Sequence, residues 1–202
     1  MPIGLMSGDE LFYNTCNEKT VTIKDFWSWC MSDFSGNTIR GVLAEFIVAN
    51  ALGIQLCSAR EEWAAYDLKY DDAGIEVKCS SFWQSWQYGK SPTLQYDISE
   101  SHFFDPLIGY TNEIRRASSV YVFCLFGKED KEKKCNNEEM PDVMDMNNWS
   151  FFVASTEQIN DVYKKQKKAT LNSLKKNLKI SALKYSQIKD AVDAILQRPI
   201  VT

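Results

Sequence analysis

The stretch YDLKYDDAGIEVKCSS, residues 66–81, decides how this chain is read. Two short runs, residues 63–70 and 75–81, flank Asp71-Asp72-Ala73-Gly74, which has the composition of a turn, so a β-hairpin is predicted. Asp71 and Asp72 read as solvated turn residues. With Tyr70 opposite Ile75, Asp67 opposes Lys78, Lys69 opposes Glu76, Leu68 opposes Val77 and Tyr66 opposes Cys79. Because side chains alternate along a strand, Tyr66, Leu68, Tyr70, Ile75, Val77 and Cys79 share an apolar face. Asp67, Lys69, Glu76 and Lys78 crowd the other face. Opposed Cβ atoms lie about 4.5–5.5 Å apart, which gathers two carboxylates and a lysine within reach of one cation.

The chemistry of that face suits a hard divalent ion. Mg²⁺ prefers carboxylate oxygens and water at about 2.0–2.1 Å. Asp67 and Glu76 can supply such oxygens, with the backbone carbonyl of Val77 as a third. Lys78 is then placed to hold or deprotonate an attacking water and to offset phosphate charge. The competing reading is an exposed sheet face carrying two cross-strand ion pairs, Asp67–Lys78 and Lys69–Glu76, each contributing about 0.2–1 kcal/mol.

Upstream, Thr22-Ile-Lys-Asp25 has the form of a capping box and predicts a helix over about 22–32, with Val21 and Phe26 at the positions that bracket such a box. A second helix is expected from a Thr38 cap to Gly53, with Ile39, Val42, Leu43, Phe46, Ile47 and Asn50 at helical spacing. Glu45 is the only charged residue between Val42 and Leu52, on the stripe with Gly41, Val48 and Leu52. Downstream, a strand is expected near 93–98. SVYVFCLF (119–126) is an unbroken apolar run typical of a strand buried on both faces, and WSFFVA (149–154) is another. Ser155 and Gln158 form a capping box for a short helix. A lysine-rich helical stretch follows, then a short strand near 179–183 and a helix capped by Ser186 and running to about Gln197. The order predicts one α/β domain over residues 1–202 with a mixed sheet flanked by helices.

Tyr66-Asp67 followed by Ile75-Glu76-Val77-Lys78 resembles the D…(D/E)xK signature of the PD-(D/E)XK nuclease superfamily, with Tyr66 where the family name has Pro. In that family a β-hairpin presents the Asp and the ExK to one or two Mg²⁺ ions. A preceding helix often adds a Glu, a placement matched by Glu45 in Arg40-Gly-Val-Leu-Ala-Glu45. The resemblance spans residues 38–155 as a nuclease-like core, leaving 156–202 as a lysine-rich helical C-terminal part. It implies a restriction endonuclease-like fold and a Mg²⁺-dependent endonuclease, with Mn²⁺ as a substitute ion, that hydrolyses phosphodiester bonds of DNA in restriction or defence. Asp67, Glu76, the Val77 carbonyl and Glu45 are the implied metal set, and Lys78 completes the catalytic residues. Two further ExK triplets, Glu129–Lys131 and Glu132–Lys134, lie in a charge run without strand pattern and are set aside.

Composition bounds the partners. The net charge of −4 argues against nonspecific coating of DNA, so a phosphate-facing surface has to be local. Residues 164–184 hold eight lysines and no acid, which makes Lys164, Lys165, Lys167 and Lys168 candidate phosphate contacts. The same segment also reads as a solvated face. Ser80, Ser81, Trp83, Gln84, Trp86, Gln87 and Lys90 follow the hairpin and offer polar and aromatic contacts to nucleic acid, or else core and subunit contacts. Six scattered cysteines and a single His fit core thiols in a reducing compartment better than a zinc set. His102, near Ser101 and Asp105, has no nucleophile-elbow context. No phosphate-binding glycine loop occurs. The opening residues have no basic and apolar leader pattern, so a cytoplasmic protein with no membrane partner is expected. A homodimer would allow both strands of a duplex to be cut. Two alternatives stand beside the DNA endonuclease: a non-catalytic nucleic-acid-binding or assembly module of the same fold, and a nuclease acting on RNA or branched substrates.

Overall fold

The computed structural model describes residues 3–13, 19–61, 64–83, 93–105, 109–127 and 141–198. Gln84, Trp86, Gln87, Lys90 and the two set-aside ExK triplets lie outside the described residues.

The run at 120–126 organises everything else. It forms β8 (Val120–Phe126), with all seven residues buried. On one edge it pairs in parallel with β4 (Ala73–Ser81), and on the other it pairs antiparallel with β9 (Trp149–Ser155). The hairpin strand β3 (Leu68–Tyr70) adds antiparallel to β4, giving a mixed sheet of order β3-β4-β8-β9. Alternate side chains of β8 feed two cores. Val120, Val122, Cys124 and Phe126 pack with α2 (Asn37–Leu52) and α5 (Ile188–Ile195). Tyr121, Phe123 and Leu125 pack with β5 (Gln95–Asp97), α3 (Thr156–Tyr163), β10 (Lys168–Thr170) and α4 (Leu171–Leu178). A strand between two helical layers has no wet face, so each large apolar side chain contributes about 1.5–3 kcal/mol by leaving water. The chain is therefore an α/β domain with a mixed sheet flanked by helices. Its lysine-rich C-terminal residues help build both layers.

The Thr22–Asp25 capping box forms and starts α1 (Ile23–Met31), and the Ser155–Gln158 box starts α3. Several expectations are corrected. Helix α2 begins after Gly36 with no side-chain cap, so Thr38 lies inside its first turn. Its buried face holds Ala44, Glu45, Ile47, Val48, Ala49 and Leu52, while Val42 and Phe46 are on the exposed side. Ser186 lies within a 3-10 turn (Tyr185–Gln187) that precedes α5 and does not cap it. The strand expected near 179–183 is reduced to one bridge between Leu183 and Phe151. The lysine segment contains a strand, β10, paired antiparallel with β5. The hairpins β1 (Leu11–Tyr13) with β2 (Lys19–Thr22), and β6 (Ser101–Asp105) with β7 (Gly109–Arg115), carried no sequence signal that was read. Among the described residues no helix is long and apolar enough to cross a membrane.

A candidate phosphodiester site at the open edge of β4

The hairpin turns more tightly than its sequence suggests. Tyr70 pairs with Ala73, Lys69 with Gly74 and Leu68 with Ile75, so the loop is Asp71-Asp72 alone. Asp71 takes the left-handed conformation there (φ 53°). The register is two residues off the expected one. Lys69 faces Gly74, not Glu76, and the same register carried one position on sets Asp67 opposite Glu76, not Lys78. A two-residue slip keeps every side chain on its face. Accordingly, Leu68, Tyr70, Ile75, Val77 and Cys79 all pack toward α2 and α5, and Glu76 and Lys78 point the other way. Tyr66 departs from the expected apolar face. Its ring covers Gly74, where an added Cβ would lie 2.4 Å from Tyr66 Cδ1. Gly74 is thus a strand residue that leaves room for an aromatic ring.

Because β3 covers β4 only from Ala73 to Ile75, the β4 edge beyond is open. An uncovered strand edge has backbone groups in need of partners. Asp67 meets that need: its Oδ2 accepts the Val77 N–H at 2.7 Å. N–H and C=O of one strand residue project to the same edge, so the Val77 carbonyl lies on this edge too. Glu76 sits beside Tyr121 of β8 and Lys78 beside Phe123, both buried. In that apolar setting Glu76 Oε1 and Lys78 Nζ pair at 2.5 Å. Glu45 reaches the same edge from α2 and is 9% exposed. Arg60 grips it with two hydrogen bonds, Nε to Oε2 at 2.5 Å and Nη2 to Oε1 at 2.8 Å.

The electrostatics show that the four groups form one cluster. Burial pushes the Glu45 carboxyl above its ordinary range, and the nearby Asp67 charge adds to that push against the opposing pull of Arg60. Burial likewise raises Glu76, with Asp67 and Glu45 adding to it and Lys78 opposing. Burial pulls Lys78 down, but Glu76 and Asp67 outweigh it, so the lysine is held above its ordinary value as an ammonium. Without a bound cation Lys78 therefore acts as a charge and cannot serve as a base at neutral pH.

Sequence reasoning missed two members. Arg60 lies in an irregular segment with no periodicity to mark it. Asp97 alternates with buried Tyr96 in β5, a signal that was present, and its charge acts on Lys78. Across the β5–β10 ladder Asp97 pairs with Lys168. This ties the lysine segment to the cluster through Lys168. Lys164 and Lys165 occupy the exposed turn after α3, and the Lys167 carbonyl accepts the Ile98 N–H at 2.8 Å.

Among the described residues, no three His, Cys, Asp or Glu side chains stand ready as a metal cage. The reason is visible: Glu76 is turned onto Lys78, both Glu45 oxygens face Arg60, and one Asp67 oxygen holds the backbone. The donor set nonetheless fits Mg²⁺ chemically. It consists of hard oxygens, and two of its carboxyls are strained by burial and by their neighbours' negative charge, which a cation relieves.

No protein-family model, curated protein or solved structure matches this chain.

Proposed function

We propose that this chain is a Mg²⁺-dependent nuclease of the PD-(D/E)XK type, with a restriction endonuclease-like fold, that hydrolyses phosphodiester bonds of DNA in the cytoplasm. The observation that carries the reading is the convergence of Asp67, Glu76, Lys78 and Glu45 at one open sheet edge, with two carboxyls held above their ordinary range. Buried, mutually repelling acids weaken a fold, and such groups cluster where chemistry needs them. Asp67, Glu76 and the Val77 carbonyl would hold the ion, with Glu45 behind them. When bound, Mg²⁺ polarises the phosphoryl oxygens and activates water. Lys78 contributes a fixed positive charge to the phosphate in a water-poor setting. Arg60 orients Glu45. Lys168 and the lysines around it offer the strand backbone a path away from the site. A second copy of the chain would supply the second cut of a duplex.

Cleavage of supercoiled plasmid, linear duplex, single-stranded DNA and RNA with Mg²⁺, Mn²⁺ or EDTA tests the reading. Metal-dependent cutting is expected in the wild type, with a loss of about 100-fold or more in Asp67→Ala and Lys78→Ala. Full activity in either variant removes the mechanism.

One observation favours a second reading. The carboxylates of Glu76 and Glu45 are already paired, with Lys78 and Arg60. A non-catalytic nucleic-acid-binding module would keep them so, and no substrate would then be cut under any metal condition.

A further inference from the structure

A cavity of about 870 Å³ opens beside the cluster and shares three of its walls, Glu45, Arg60 and Asp67. Its other walls are mostly apolar and come from the exposed side of α2, the segment after it and the residues leading into β3. Two aromatic rings line it, Phe46 and Tyr66, with the polar side chains of Gln55 and Ser58 and the charged Glu61 and Lys69 at its walls. Phe46 is 55% exposed and belongs to neither core, although it sits in a helix whose other face is closely buried.

We propose that this cavity receives one unstacked nucleobase of the strand whose phosphate lies against Asp67, Glu76 and Lys78. The inference rests on the phosphodiesterase reading of the cluster. It names a further subsite of the same strand. A pocket for an extruded base needs flat apolar or aromatic walls for the ring faces and a few hydrogen-bonding groups for the base edge. Phe46 and Tyr66 provide the first, and Gln55 and Ser58 the second. The volume falls within the range of about 300–1,000 Å³ common for small-ligand sites, enough for one base with its sugar at the mouth. Shared walls make the placement geometric: a strand with a phosphate at Asp67 brings the adjoining nucleoside to the opening. Unstacking costs least in single strands, mismatches and junctions, so the site favours such substrates over perfect duplex.

The test scans 2-aminopurine or pyrrolocytosine through single-stranded and duplex oligonucleotides, with Ca²⁺ replacing Mg²⁺ to hold the strand. Fluorescence is read for wild type, Phe46→Ala, Val42→Trp and Asp67→Ala, beside Mg²⁺ cleavage of the same strands. Val42 lines the cavity and is 36% exposed, so a bulkier residue there fills space without entering the core. One position is expected to change its emission on binding. Phe46→Ala should weaken binding of that strand about tenfold through lost stacking, and Val42→Trp should abolish the change. Asp67→Ala removes a group that would hold the cation, so it should lose cleavage and weaken binding of the strand together. If no position responds, or if both cavity variants leave the signal intact, the inference falls, and cleavage by the wild type then leaves the nuclease reading standing. A signal abolished by Val42→Trp without any wild-type cleavage upholds the base site and removes the catalytic reading alone.

Discussion

The same hairpin carries a group of charges at each end, and the two groups behave in opposite ways. At the turn, Tyr70 donates its hydroxyl proton to Asp193 Oδ1 at 2.9 Å, and Lys189 donates to the Tyr70 hydroxyl at 2.8 Å and to Asp193 Oδ2 at 2.6 Å. Arg198 stacks on the Tyr70 ring at 4.3 Å and reaches Asp72 at 2.8 Å. Burial would raise Asp193, but the hydrogen bonds from Lys189 and Tyr70 more than offset it, so its carboxyl is held below the usual range. At the open edge, Glu76 and Glu45 are raised. The first group is a clamp in which the acid is more stable ionised than in water. The second gathers acids whose ionised form is less favoured than it is in water. A fold that needed only ion pairs would have no reason to build the second kind.

Four substitutions break or sharpen that contrast. The largest effect belongs to Lys78→Ala, which should lose about 100-fold or more in cleavage rate, more than the stability lost by unpairing Glu76 explains, seen by pairing plasmid cleavage with thermal denaturation. Asp193→Ala should do the reverse. It removes the acceptor shared by Lys189 and the Tyr70 hydroxyl and should cost about 2 kcal/mol in urea unfolding, with any cleavage by the folded protein nearly unchanged. The sign of its pH dependence is fixed by the lowered carboxyl: the stabilisation is present above the unfolded value of 3.8 and is lost as pH falls through the lower folded value. Gly74→Ala should cost about 1–3 kcal/mol, because the new methyl meets the Tyr66 ring. Displacing Tyr66 should also shift Asp67 beside it, so cleavage should drop further than stability alone explains.

The smallest change in stability is the most diagnostic. Glu76→Gln should lose cleavage yet raise the stability of the metal-free fold. The raised Glu76 carboxyl contributes stability below its unfolded value of 4.5 and loses it as pH rises through the folded value. The variant's advantage should therefore be absent in acid and appear toward neutral pH. Equal or lower stability of the variant at neutral pH would make Glu76 an ordinary member of an ion pair.

Much of this was legible in the sequence, for physical reasons. The unbroken apolar run of β8 can be satisfied only between two layers, and alternation alone assigns Glu76 and Lys78 to one face. The register was not legible. Gly74 looks like a turn glycine, but it stands in β4 because the Tyr66 ring needs the space, while Asp71 takes the left-handed turn position in its place. The face of α2 was misjudged for a related reason. Val42 and Phe46 have the right spacing for a core, yet they border a cavity, and Ala44, Ile47 and Val48 pack inward. Arg60 and the Asp97–Lys168 pairing depend on contacts between distant segments, which no local pattern encodes.

The central claim is that the open edge of β4 is built to hold a divalent cation. Calorimetric titration of Mg²⁺ and Mn²⁺ into the wild type, Asp67→Ala and Glu76→Gln tests it most directly. Saturable binding by the wild type, accompanied by a rise in Tm, and loss of both in each variant are expected. Absence of binding by the wild type, or undiminished binding by both variants, contradicts it.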